Sequence, residues 1–583
     1  MILKALYDYY KRCGNLPVQG MEEKEIGFII VLSTNGEFMR FEDCRIDNKR
    51  AKAFLVKKHV GRSSGVVANY LYDNISYVLG YYDKTSSDKE EKIIIQFNTF
   101  KDKVSSILAH FPNNLDLQAI NAFYKQSRDE IFNNISQDPL WEDIKKNLSK
   151  KYSTFSFRIE GDTQIVAEKR HLLQLDDMYT SIKYSDICLI TGQSGQIVET
   201  TTATMIPGSQ AMAKLVSFQV NSGYDSYGKK KCKNAPISID AEFAYTTALN
   251  TMLGKDSHNK FLIGNRTFIF WSSIKSEATE QAEESLFNLL GITEEKNDAP
   301  NAKTEQARKV FNSIYTGSLR TNLDDRFYIL GLAPNSARIA VVYWSETSLK
   351  DFAGQILRHF DDMRIIDNRQ DNKPYMGVRE ILAAVTLGGK QSDTIPNLPE
   401  AIIKSIFQGT QYPFSLFSSC IRRLRAESSE KGAIRISRIA ILKAYLNRLN
   451  VNEKKITIML DKENTNQGYL CGRLFAVLDK IQEDANKNNS IRERYMNAAS
   501  STPASVFSTI LNLSSHHIEN LSNDGKRIYY EKIKQEIIDK ITADGFPTHL
   551  DLQDQGRFFI GYYHQRQDLF TKKEDENNYI NNI

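Results

Sequence analysis

The chain has 583 residues, of which 41% are apolar and 25% are charged. This composition excludes a disordered, collagen-like or low-complexity protein, and the length exceeds the roughly 250–300 residues that one hydrophobic core serves. The 76 Lys and Arg nearly balance the 71 Asp and Glu, for a net charge of +5. Any nucleic-acid-binding surface must therefore concentrate its positive charge locally.

The cysteines and the N-terminus point to the reducing cytosol. The six cysteines are widely spaced and form no CxxC motif, which favours free thiols over a disulfide framework. Lys4, Asp8 and Lys11 interrupt the N-terminus before an apolar signal segment can form, and no run of about 18 apolar residues occurs. The sequence predicts a soluble, cytoplasmic protein that does not contact a membrane.

Residues 1–150 are predicted to form an N-terminal α+β domain. Apolar residues at helical spacing predict a helix over 3–13. Two β-rich runs flank an Asn-Gly pair and predict a hairpin over 26–45. A second hairpin is predicted from 76–83 to 92–100. Helices are then predicted over residues 101–110 and 115–150.

A middle α+β region is predicted over 151–345. Its strand candidates are FSFRIE, DICLITG, KLVSFQV and NRTFIFW. A helix over 238–253 interrupts them, and a helical stretch over 276–320 contains the best linker candidate, 294–306. Two strands joined by a Pro-Asn turn over 327–344 complete the region.

The remaining chain is predicted to be helical, with a basic region over 346–458 and a bundle over 459–583. The predicted helices of the bundle cover residues 466–488, 491–498, 503–520, 525–543 and the stretch after 550. An apolar stripe typical of a bundle core consists of Leu470, Leu474, Val477, Leu478 and Ile481. The fold class is therefore α+β, with β-rich mixed N-terminal and middle regions followed by an all-α C-terminal helical bundle.

The sequence contains no common catalytic motif, such as GxxxxGK[ST], HExxH or GxSxG. The adjacent His516 and His517 would point about 100° apart on a helix, so they cannot ligate one metal from one face. We therefore predict a protein that is not an enzyme and holds no cofactor or metal. One alternative is a metal-dependent nuclease, whose candidate carboxylates are the pairs Asp176-Asp177, Asp324-Asp325 and Asp361-Asp362. The other alternative is a purely structural scaffold.

The first basic cluster, residues 55–74, combines positive charge with a glycine-bounded loop at 61–65. Glycine permits close backbone approach, serine hydroxyls and cationic side chains reach phosphates, and an asparagine amide reads base edges. The alternative is a solvated surface loop. The candidate contacts are Lys57, Lys58, Arg62, Ser63, Ser64 and Asn69.

Two further clusters concentrate positive charge. The lysines of residues 228–233 repel one another unless a polyanion is near. Residues 421–448 carry eight basic and two acidic residues, a net +6, and Arg435, Arg438 and Lys443 are predicted to share an outward face that follows phosphates. The alternatives are a solvated turn and a solvated helix face. The candidate nucleic-acid contacts are Lys229, Lys230, Lys231, Arg422, Arg435 and Arg438.

A series of sequence blocks, spread in one order over the chain, resembles a known family. The blocks are MILKALYDYY, GRSSGVVANYLYDNISYVLG, FSFRIEGD, CLITG, KLVSFQ, SYG…NAPIS (226–238), AYTTALN, FYILGLAPNSARIAV, CGRLFAVLDKIQEDA, RERYMNAASSTPASVF and FPTHLDLQDQGRFFIGYYHQRQ. They resemble the large subunit of the type I-C CRISPR surveillance complex (Cascade), the Csd-type, Cas-eight-class protein. VVYW at 341–344 departs from the family, whose members look more basic there.

The resemblance implies a non-catalytic binding subunit. In that family the guide RNA recognises sequence by pairing, while the protein reads a short protospacer-adjacent motif, commonly TTC-like, and starts strand separation. Guide processing resembles the work of a different subunit. The implied partners are the CRISPR RNA, double-stranded target DNA and its displaced strand, the Cascade backbone and guide-processing subunits, small subunits and a helicase–nuclease.

The resemblance also suggests residue roles. The Gly61–Gly65 loop and Asn69 become candidates for motif reading, with Asn69 contacting a base edge from the minor groove and Lys57, Lys58 and Arg62 holding phosphates. In such systems the small subunit resembles the C-terminal region and is made from an internal start. Met459 is the candidate start, which gives a product of 125 residues.

Overall fold

The structure divides into two units, neither of which is continuous in sequence. The first unit comprises Cys13–Thr201 and Phe218–Thr247, and the second comprises Met1–Arg12, Thr202–Ser217 and Ala248–Ile583. The division into four regions that was expected from the sequence stays a prediction. The computed structural model describes residues 1–60, 65–82, 90–148, 150, 152–172, 184–219, 221–223, 225, 227–290, 300–322, 324–367, 377–387, 395, 397–427, 435–486 and 490–570.

The predicted α+β class is confirmed, because strands are concentrated before residue 349 and helices follow. The earlier elements are α1 (Ile2–Arg12), β1 (Met21–Glu25), β2 (Phe28–Leu32), β3 (Phe38–Asp43), β4 (Ala53–Lys57), β5 (Tyr72–Asn74), α2 (Ile75–Val78), α3 (Glu90–His110), α4 (Leu115–Phe123), α5 (Arg128–Ile135), α6 (Trp141–Lys146), β6 (Thr154–Ile159), β7 (Ser185–Ile187), β8 (Ser194–Gln196) and α7 (Ile239–Leu253). The later elements are β9 (Lys260–Ile263), β10 (Arg266–Ser272), α8 (Glu277–Leu290), α9 (Pro300–Thr316), β11 (Arg326–Asn335), β12 (Arg338–Ser348), α10 (Leu349–Met363), α11 (Val378–Val385), α12 (Leu398–Phe407), α13 (Phe414–Ala426), α14 (Ile436–Leu449), α15 (Gln467–Asn486), α16 (Ser490–Ala499), α17 (Phe507–Glu519), α18 (Asp524–Ile538) and α19 (Leu552–Phe570).

The predicted Asn-Gly hairpin is confirmed and begins the main sheet of the first unit. Strands β2 and β3 pair antiparallel, from Phe28 opposite Asp43 to Leu32 opposite Phe38. Gly36 takes a φ of +87°, which is the left-handed conformation that this turn needs. The sheet order is β3-β2-β6-β5, and β2 pairs parallel with β6. All five residues of β2 are buried, as expected of a central strand whose sequence is an unbroken apolar run.

The predicted second hairpin is wrong, because residues 75–78 and 90–110 form helices α2 and α3. The apolar run of α3 reads equally well as a strand or as a helix over a short window. Its buried residues decide the matter, since they recur at helical intervals, whereas the intervening Ile94 and Ile95 are exposed. The buried positions are Ile93, Phe97, Phe100, Val104 and Ile107.

In the middle of the chain, the predicted helix at 238–253 and the strand pair at 327–344 are confirmed as α7, β11 and β12. The turn between β11 and β12 lies at Ser336, whose φ is +52°, rather than at Pro334 and Asn335, which belong to β11. The linker prediction is wrong over 300–306, because α9 begins at Pro300, a residue suited to the first helical turn. Residues 294–299 lie outside the described residues. Over its described residues, 214–219, the KLVSFQV candidate forms no strand but a single bridge from Lys214 to Arg338.

The second unit is built on one sheet and the helices that follow it. The antiparallel sheet has the order β12-β11-β10-β9, and one apolar cluster extends from Phe261 to Tyr563. The cluster joins side chains of this sheet to those of α8 through α19, so it includes residues on both sides of position 459. Among the described residues, no helix is long and apolar enough to cross a membrane.

The predicted C-terminal helices are confirmed within a few residues as α15 to α19. Helix α15 is the centre of this group, and the predicted stripe from Leu470 to Ile481 is fully buried. Glycines allow α15 and α19 to approach closely, since a Cβ at Gly472 would overlap the carbonyl of Phe558 and one at Gly561 would overlap the carbonyl of Tyr469.

Candidate nucleic-acid interface

The first basic cluster follows strand β4, where Lys57 ends the strand and is only 7% exposed. Its Nζ lies 4.6 Å from the centre of the Tyr70 ring, and its carbonyl accepts a hydrogen bond from the Tyr72 hydroxyl at 2.9 Å. A cation above an aromatic face is held by the ring quadrupole. Lys57 therefore contributes to packing here, while the phosphate contact assigned to it stays a prediction.

Asn69 closes the loop that follows. Its side-chain Oδ1 accepts the Val60 N–H at 2.9 Å, its own N–H donates to Asp73 Oδ2 at 2.9 Å, and the residue is 9% exposed. Because Oδ1 is used inside the loop, the Nδ2 donor is the group that would meet a base acceptor in the minor groove. Base reading by Asn69 stays a prediction. Arg62, Ser63 and Ser64 lie outside the described residues.

Glu22 on β1 supports the other end of this loop. Its carboxylate accepts from the His59 N–H and lies 2.8 Å from His59 Nδ1. Burial raises the pKa of Glu22, but the hydrogen bonds and the charge of His59 outweigh it, so the pKa lies below its ordinary value. Lys58 places its Nζ 5.6 Å from the Phe243 ring of α7. The strand end and the first turns of α7 are therefore neighbours within the first unit.

The second cluster forms a loop that ends in a 3₁₀ helix at Lys231–Asn234, and backbone hydrogen bonds anchor its base. Cys232 N–H donates to the Glu199 carbonyl, Leu189 N–H to the Pro236 carbonyl and Val198 N–H to the Ile237 carbonyl. These bonds anchor the loop to the chain around the short β7–β8 ribbon.

At the tip of this loop, Lys229 and Lys230 are exposed. The next two cations are engaged locally, since Lys231 Nζ lies 2.5 Å from Glu199 Oε1 and Lys233 Nζ lies 4.4 Å from the centre of the Tyr184 ring. The loop thus offers its first two lysines most openly.

The third cluster, within the second unit, differs most from the prediction. The predicted outward face is wrong, because Arg438 and Lys443 are 0% and 3% exposed. Arg438 donates from Nε to the Ala384 carbonyl at 2.8 Å and from a terminal nitrogen to Glu427 Oε2 at 2.6 Å. A guanidinium held in this way is part of the core, so Arg438 is not a surface phosphate contact in this structure.

Other cations of the same segment are also used internally. Arg448 bonds Asp362 Oδ2 at 2.6 Å, and its guanidinium lies 4.2 Å from the centre of the Tyr412 ring. Of the predicted contacts, Arg422 on α13 and Arg435 at the start of α14 are exposed, and they stay candidates. The +6 of the sequence therefore overstates the charge that the surface carries.

The alternative nuclease reading depends on clustered carboxylates. Asp325 accepts the Asn322 N–H, Asp361 faces Arg308, and Asp362 pairs with Arg448. Asp176 and Asp177 lie outside the described residues. Within the part of the chain that the structure describes, no three His, Cys, Asp or Glu side chains group so as to hold a metal ion.

Sequence reasoning overlooked one residue beside these clusters. Tyr227 lies two positions before Lys229, and its side chain is 94% exposed. An aromatic residue within a lysine-rich turn was the available signal. No comparable exposure of a large ring is found among the other described aromatic residues.

The family model described as CRISPR-associated protein (Cas_Csd1) matches residues 6–570. No curated protein matches the chain. The matched range includes all three basic clusters and nearly the whole of both units.

Proposed function

The chain belongs to the CRISPR-associated Csd1 family, and from that premise we propose that it is the large subunit of a type I-C RNA-guided DNA surveillance complex. It acts there as a non-catalytic binding subunit. The observation that carries the proposal is the family match over residues 6–570. The exposed lysines of the 228–233 loop support it, because accessible lysines that neutralise phosphates release the counterions condensed on a nucleic acid.

In this role the guide RNA reads the target by pairing, and the protein reads a short motif in the adjoining duplex. The loop between Val60 and Asn69 is the proposed motif reader. The protein then aids unwinding, stabilises the R-loop and recruits the helicase–nuclease, in contact with the CRISPR RNA, the backbone and guide-processing subunits and the small subunits.

The test measures binding of the assembled, guide-loaded complex to a duplex library randomised beside a matched target. A subset of flanking motifs should be enriched, and Asn69→Ala should reduce the discrimination by about 1–3 kcal/mol. Lys58→Ala is the matched control, because losing a phosphate contact should weaken all motifs alike. Equal binding of every motif by the unmutated complex would contradict the proposal. Cleavage of DNA by the purified chain with Mg²⁺ would instead favour the nuclease.

A further inference from the structure

The tip of the loop that holds the second basic cluster, residues 228–233, presents an aromatic ring beside two lysines. Tyr227 is 94% exposed, which is the highest exposure among the large apolar side chains described, and Lys229 and Lys230 beside it are exposed. An exposed phenol ring leaves apolar area in water that an arriving ligand could cover. Gly228 between them has a φ of +73°, a left-handed conformation that glycine adopts without strain.

The anchoring of the loop gives this tip a defined place. Lys231, the next residue, has a φ of +51°, an uncommon conformation for a residue with a side chain, and bonds Glu199. Three backbone hydrogen bonds hold residues 232–237, as described above. The ring and the first two lysines are therefore presented by a fixed base.

We infer that Tyr227 is a stacking platform for an unpaired base of a single-stranded nucleic acid, while Lys229 and Lys230 hold its backbone. Sites for single strands combine cations along the backbone with aromatic rings on which bases stack. The bases of a duplex are already stacked on both faces, so they leave no exposed face on which this ring could stack. The inference deepens the proposed function and rests on it, since an R-loop contains a displaced single strand.

A protein partner fits the tip less well. The cores of protein–protein interfaces are enriched in tyrosine but depleted in lysine, because a buried ammonium loses its hydration. Two acidic groups lie near the loop: Glu199 pairs with Lys231, and Asp186 interacts electrostatically with Lys229. The four lysines of residues 229–233 outnumber them, so the loop keeps a positive charge. The remaining positive charge beside an open ring matches a polyanion with exposed π faces.

The experiment measures binding of the purified full chain to fluorescein-labelled oligothymidine and to oligouridine by anisotropy, over a series of salt concentrations. Tyr227→Ala should weaken binding of at least one of them about 5- to 150-fold, while Tyr227→Phe should retain the affinity, because the ring and not the hydroxyl stacks. The arm that shows the loss identifies DNA or RNA as the strand. Tyr315→Ala is the matched control, since Tyr315 is 50% exposed on α9.

The salt dependence separates stacking from charge. Tyr227→Ala should leave the slope of log affinity against log salt unchanged, whereas Lys229→Ala with Lys230→Ala should reduce it by about 1.4, or roughly 0.7 for each phosphate contact. Unchanged affinity of Tyr227→Ala for both oligonucleotides would overturn the inference. The inference would also be overturned if Tyr227→Ala bound both oligonucleotides normally but no longer assembled with the protein partners of the chain.

The two proposals fail in different ways. If Tyr227→Ala binds single strands like the unmutated chain while the assembled complex still selects motifs in duplex DNA, only the stacking inference falls. If the complex shows no motif preference although Tyr227→Ala loses single-strand affinity, the proposed motif reading falls and the stacking site stands.

Discussion

Arg438 provides the sharpest test of how the third basic cluster is used. The sequence places it on a phosphate-binding face, whereas the structure places it in the core, bonded to Glu427 and to the Ala384 carbonyl. Removing one partner of a buried ion pair costs about 3–5 kcal/mol, because the other charge is left without its partner. Glu427 keeps a second contact to Arg423, so Arg438→Ala is expected to lower the unfolding free energy by about 3 kcal/mol, at the low end of that range.

The assay is urea unfolding of the full chain, followed by both circular dichroism and tryptophan fluorescence because two units need not unfold together. Arg435→Ala is the matched control, since this neighbouring arginine is exposed and surface substitutions change stability by about 0.5 kcal/mol or less. A double-mutant cycle of Arg438→Met with Glu427→Gln should give a smaller loss than the two single changes added together.

Nucleic-acid binding gives the opposite pattern for these two arginines. If Arg435 contacts a phosphate, Arg435→Ala should reduce the salt slope of duplex binding by about 0.9 with unchanged stability. Arg438→Ala should leave the slope unchanged in the fraction that stays folded. An Arg438→Ala variant that is as stable as the unmutated chain but has lost nucleic-acid affinity would refute the assignment of Arg438 to the core.

Three further expectations follow from other parts of the chain. Gly36→Ala should lower the unfolding free energy by about 2 kcal/mol or more, because the new Cβ would meet the Ala119 carbonyl at a φ of +87°; a calorimetric scan with an unchanged transition would contradict this. Burial lowers the pKa of Lys443 to about 8, so the unfolded chain binds its proton more tightly than the folded one. Lys443→Met should therefore raise the unfolding free energy by about 2–3 kcal/mol at pH 7. The gain should shrink as the pH rises from 8 and disappear above about 10.5, where the unmutated lysine loses its proton in both states; a gain that does not change with pH would exclude this cause. Replacing the Met459 codon by one for leucine should remove a product of 125 residues from expressed complexes. Met459 is half-buried in a loop, so leucine, which has a similar volume, should leave the fold intact. Persistence of that product would exclude Met459 as its start.

Local sequence patterns predicted many of the helices and strands of this protein. The Asn-Gly hairpin, helix α7 and the five C-terminal helices follow from turn chemistry and from apolar spacing over a dozen or more residues. The ordered family blocks likewise lie in the sequence itself. Such features need no information about distant partners, because the residues that decide them are neighbours along the chain.

Tertiary structure alone decided the rest. The run at 92–100 became part of α3 because a helix buries Phe97 and Phe100 on one side and leaves Ile94 and Ile95 in water. Part of the positive charge of residues 421–448 is buried, because Arg438 pairs with Glu427 and Arg448 pairs with Asp362 in the folded chain. Exposure separates a core arginine from a surface arginine and makes Tyr227 accessible, and exposure is set by contacts between residues far apart in the sequence.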